Sequence, residues 1–99
     1  MKNLIMQGDN ILISIKTKYI HIELPDNQRT ALGEENMPEE IKVIAVGKNV
    51  DTIKTGDEIF VPIAILNRAN DISEEIDANE NKDIRYTIIK EFDVQAIIK

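Results

Sequence analysis

Ninety-nine residues suffice for one hydrophobic core and fall short of two, so a single domain is expected over 1–99. A net charge of −6 disfavours nucleic acid and anionic membranes as partners, because both are held largely through Lys and Arg. The absence of cysteine excludes disulfides, thiolate nucleophiles and sulfur-based zinc sites, and it fits a reducing cytoplasm.

With two Phe, two Tyr and no Trp, burial must come from Ile, Val and Leu, and β-branched residues favour sheet over helix. After the turn Gly8-Asp9-Asn10, Ile11, Ile13 and Ile15 alternate with Ser14 and Lys16, which predicts a strand with one buried face. Residues 19–24 alternate as well, but Pro25-Asp26-Asn27 follows. The polar stretch up to Glu40 holds two Glu-Glu pairs and few apolar residues. The expectation is a long flexible loop over residues 17–40, and so long a loop in so small a domain points to function.

Residues 41–46 predict a strand ended by Gly47 at positive φ, and Gly56-Asp57 predicts a tight turn into a strand at 59–61. Residues 67–83 read as a solvated polar loop, although Ile72 and Ile76 have the spacing of one helical turn. Strands at 85–90 and 94–98 complete the pattern. Many short strands with polar breaks and no amphipathic helix imply an all-β sandwich or barrel.

Nothing in the chain resembles a catalytic centre. His21 has no second His or Cys for a metal set, and the acids of 71–83 lack the central glycine and closing glutamate of a calcium loop. Four scattered glycines form no phosphate-binding pattern, and no apolar run approaches the roughly 20 residues of a membrane helix. The expectations are no enzyme activity, no cofactor and no metal.

Three segments resemble the GroES family of co-chaperonins, in the family's order. Gly8-Asp9-Asn10-Ile11-Leu12-Ile13 is similar to the family's opening turn and first long strand. Lys42-Val43-Ile44-Ala45-Val46-Gly47, followed by Ile53-Lys54-Thr55-Gly56-Asp57-Glu58-Ile59-Phe60-Val61, looks like its Ala-Val-Gly strand end and its Lys-x-Gly-Asp turn. Residues 86–89 and 93–98 resemble its C-terminal strand pair.

The resemblance implies a GroES-like small β-barrel that caps a GroEL-like chaperonin ring and assists ATP-dependent folding by that partner. It implies docking through a mobile-loop tripeptide, here Ile22, Glu23 and Leu24, in front of Pro25. It also implies a homo-oligomer, a heptamer in the family, in which Leu4 and Ile5 of an N-terminal strand pair against Ile97 and Ile98 of a neighbour. Ile20-His21 replaces the family's Gly-Gly before the tripeptide, and Glu23 replaces a small or apolar residue. The short connection from Gly47 to Ile53 leaves no roof hairpin, as in some phage-encoded co-chaperonins that the chain also resembles. A structural or virion-associated protein that kept the barrel and lost chaperonin binding is the alternative.

Overall fold

The computed structural model describes residues 3–21, 34–78 and 83–99. Its frame is a five-stranded antiparallel sheet: β1 Asn10–His21, β2 Glu34–Val46, β3 Glu58–Phe60, β4 Ile84–Lys90 and β5 Ala96–Ile98. The strands lie in the order β4-β1-β2-β3-β5, and a short helix, α1 (Ile63–Arg68), follows β3. The protein is therefore mostly β, as its composition implies. Among the described residues the ladder runs open from β4 to β5, without a closed ring of strand pairs.

Alternation on β1 sets the core. Ile11, Ile13 and Ile15 are fully buried and stand opposite Ile89, Thr87 and Arg85 of β4. Ile41 and Val43 of β2, Ile59 of β3 and Leu66 of α1 join them, with Ile53 and Val61 from the connections. Each fully buried Ile contributes roughly 2 kcal/mol through the apolar surface it removes from water. One cluster thus draws on every element except β5, whose Ile97 packs against its rim.

Two glycines hold the connections in different ways. Gly56 has φ +94°, the left-handed turn expected from Gly-Asp, and Asp57 closes that turn by accepting the Lys54 amide at 2.9 Å. Gly47 does not have the positive φ expected of it. It is glycine because the Gly8 backbone lies against it, where a Cβ would collide with the Gly8 carbonyl.

The polar stretch after β3 is more ordered than its composition suggests. Ile63–Arg68 is helical, with Leu66 buried and Arg68 in its last turn, where a sequence reading finds no amphipathic helix because six residues give too short a pattern. Ile72 and Ile76 do form one helical turn: the Ile76 amide donates to the Ile72 carbonyl, Asp77 takes φ 55°, and Ala78 closes onto the Ser73 carbonyl. Ile76 is buried beneath this turn. The solvated loop expected over 67–83 is corrected, for its described part, to a helix end and a docked strap.

Hydrogen bonds fix that strap to β4. The Ile72 amide donates to the Tyr86 carbonyl at 2.9 Å, and the Tyr86 amide donates to the Ser73 hydroxyl at 3.0 Å. The Thr87 hydroxyl donates to the Asn70 carbonyl at 2.6 Å. Asp71 accepts both the amide and the hydroxyl of Ser73. Arg85 reaches from the core face of β4 to the Leu66 carbonyl near the end of α1, where a cation is favoured.

Burial works to raise the Asp71 carboxyl, but the Ser73 hydroxyl and amide, then the Arg85 charge and the Tyr86 amide, outweigh it and hold the group below the ordinary carboxylate range. A depressed folded pKa stabilises the fold above the unfolded value and ceases to do so as pH falls through the folded one. Urea midpoints should therefore fall as the pH is lowered through the acid range from the ordinary carboxylate value downward, and Asp71→Asn should flatten part of that slope. An unchanged slope in Asp71→Asn would show that this carboxylate does not anchor the strap.

Candidate functional site: a projecting arm and an open strand edge

The pairing register builds an arm. β1 pairs with β4 only from Asn10↔Lys90 to Lys16↔Ile84, and β2 pairs with β3 at Lys42↔Glu58. Beyond Lys16 the β1–β2 ladder continues through Thr17↔Pro38, Lys18↔Met37, Tyr19↔Asn36 and Ile20↔Glu35 to His21↔Glu34. These rungs form a two-stranded ribbon about 17 Å long at the usual rise per residue. The molecule is correspondingly elongated, 53 × 28 × 22 Å.

A register shift between Lys16 and Thr17 marks where the ribbon leaves the sheet, because Glu39 has no place in the pairing between Glu40 and Pro38. Proline suits a bulge at a sheet margin, where its missing N–H costs no ladder bond. Lys42 donates to Glu40 at 2.9 Å on this exposed face. That hydrogen bond and the Lys42 charge hold the Glu40 carboxyl below its ordinary value, and the same bond with the Glu40 charge raises Lys42.

The long flexible loop expected over residues 17–40 is narrowed at both flanks, where 17–21 and 34–40 are strand. Ile22, Glu23 and Leu24 lie outside the described residues, and His21 and Glu34 are the described residues on either side of 22–33. His21 is part of the ladder, paired with Glu34.

The second feature is the edge at β5. This strand pairs with β3 through Glu58↔Ile98, Ile59↔Ile97 and Phe60↔Ala96, and among the described residues no strand lies beyond it. Alternation turns Ile59 and Ile97 inward and leaves Phe60, Ala96 and Ile98 on the outer face, with Phe60 50% and Ile98 49% exposed. Residues 3–7 belong to no strand. Within them Ile5 is 86% exposed and Leu4 half-buried, while Met6 is buried.

The structure therefore places Ile98 beside an open edge and Ile5 in solvent, and it tucks Ile97 against the core. Sequence reasoning missed Phe60 as a surface residue. Its signal was available in Glu58-Ile59-Phe60-Val61, where alternation puts Phe60 on the face opposite Ile59 and Val61. Phe92, on the 3-10 turn Glu91–Asp93, is a further exposed aromatic.

Among the described residues no cluster of His, Asp or Glu is arranged to hold a metal, and no helix is long and apolar enough to cross a membrane. Comparison with family models, with curated proteins and with solved structures finds no match to the chain.

Proposed function

We propose that the chain is a GroES-like co-chaperonin that caps a chaperonin ring through the segment at the end of its arm. The supporting observation is the ribbon from Thr17↔Pro38 to His21↔Glu34, which runs past the last β4 rung and leads into Ile22-Glu23-Leu24. An extended apolar segment docking in a groove binds weakly at one site, because ordering it costs conformational entropy. Repetition around a ring multiplies such contacts through effective concentration. A cap of this kind works by occlusion and needs no catalytic group or cofactor.

The ring would be built head to tail in the cytoplasm, with residues 3–7 of one copy covering the β5 edge of the next, seven times by resemblance to the family. Such a heterologous contact closes only at one rotation per subunit. The exposed Ile5 and the outer face of Phe60, Ala96 and Ile98 supply the apolar surface for it.

Retention on an immobilised GroEL-like chaperonin in the presence of ATP is the test. The parent chain should be retained and Leu24→Asp lost. Failure of the parent chain to bind would refute the proposal. It would favour a structural or virion-associated role, a reading that rests on the charge of Glu23 inside the tripeptide.

A further inference from the structure

The strand order leaves two margins, β4 and β5, and the chain treats them differently. Beyond β5 there is no strand among the described residues. Along β4 the strap of residues 70–78 occupies the position that another strand would take. It satisfies both the amide and the carbonyl of Tyr86, and two steps further along the same side the Lys90 amide is taken by the Asp93 carboxylate at 3.1 Å. Ile88 lies between these two positions in the same phase of the ladder, with its side chain 38% exposed.

The strap is held by contacts that include the buried Ile76, the Ile72, Ser73 and Asn70 bonds to β4, and the Asp71 carboxylate that orients Ser73. A segment attached in this way opens at lower free energy than the whole domain, whose core is carried by β1.

We infer that the strap is a releasable edge guard, and that the β4 edge beneath it is a self-association surface whose occupant is β4 of a second copy. Strand length selects that occupant, since β4 offers seven residues and β5 three. An antiparallel β4–β4 ladder centred on Tyr86 would set Tyr86 against Tyr86 and Ile84 of each copy against Ile88 of the other, and β-branched and aromatic pairs are the favourable cross-strand contacts. Such a contact is isologous and closes on itself, unlike the head-to-tail contact at β5. The inference does not depend on chaperonin docking.

Ser73→Ala in the full chain is the test, because it removes the acceptor of the Tyr86 amide and leaves Ile76 in place. The Tyr86 amide should exchange about tenfold faster, the order expected for one lost hydrogen bond. Sedimentation velocity should show an associated species above those of the parent at equal concentration. Adding Ile88→Lys should remove that species, since lysine blunts an exposed edge.

Unchanged Tyr86 exchange would overturn the guard, and faster exchange without new association would overturn the concealed surface. Association that survives Ile88→Lys would overturn β4 as its site. Should Ser73→Ala fail to fold, hydrogen exchange of the unmodified chain in dilute denaturant decides. The Ile72 and Tyr86 amides should open together before that of Ile13, and opening only with Ile13 would overturn the inference.

Discussion

Alanine at Gly47 is expected to destabilise the protein by about 3 kcal/mol, the upper end for an overpacked site, and so to lower the Tm by roughly 12 to 24 °C. Gly47 is pinned from both sides: its amide donates to the Asn10 carbonyl at 2.9 Å, and its carbonyl accepts the Val50 amide at 3.1 Å. The Asn49 amide meanwhile holds the Gly8 carbonyl at 3.0 Å, so the two turns are stitched together. A Cβ on Gly47 would meet the Gly8 carbonyl carbon at 2.8 Å and the Gln7 carbonyl carbon at 3.1 Å, and both are backbone that cannot rotate aside. Gly56→Ala is the informative control. Nothing lies within 4 Å of a Cβ there, so only the positive φ is charged against alanine, about 1 to 2 kcal/mol. Thermal melts of the two variants separate steric from conformational glycine. A Gly47→Ala protein that melts no lower than Gly56→Ala would show that the Gly8 turn yields.

The contrast between these glycines shows what a sequence can reveal. Gly56-Asp57 is local chemistry, a tight turn legible from two residues, and the structure has it. The need for glycine at 47 comes from Gly8, a contact across the fold, and a reading of neighbours alone assigns it to positive φ instead. The same distinction runs through the strands. Ile11, Ile13 and Ile15 announce a buried face by period alone, whereas 34–40 looks like loop because Pro38, the Glu pairs and Asn36 depress strand propensity, and the alternation that starts at Tyr19 is outweighed by the Pro25-Asp26-Asn27 that follows it. What orders them is the ladder carried outward from Lys16↔Glu40, a pairing between segments far apart in sequence. The strap is a parallel case. Ile72 and Ile76 hint at a turn, but its partner is Tyr86, and no local pattern points there. The arm is therefore visible only in the register, while the tripeptide expected to dock enters through resemblance alone.

Lysine at Ile98 or at Ile5 is expected to raise the concentration for half-assembly of the proposed ring by at least about thirtyfold, the effect of losing one central apolar anchor at an interface. In a head-to-tail ring every subunit uses both surfaces, so one substitution damages every contact. The isolated fold should tolerate both changes, because Ile5 is 86% exposed and Ile98 49% exposed. Neither belongs to the buried cluster around Ile11, Ile13 and Ile15. Met6→Lys provides the opposite pattern: that side chain is buried already in the single chain, so its replacement should lower the Tm as well as weaken assembly. A dilution series by sedimentation velocity, run beside thermal melts, distinguishes the two classes. Sedimentation unchanged by both Ile5→Lys and Ile98→Lys would mean that the N-terminal segment and the β5 edge do not meet in the assembly. The apolar face of Phe60, Ala96 and Ile98 would then have to serve a different contact. Loss of assembly with an unchanged Tm would place the stability of the fold in β1 and its neighbours, and that of the ring in residues the single chain leaves in solvent.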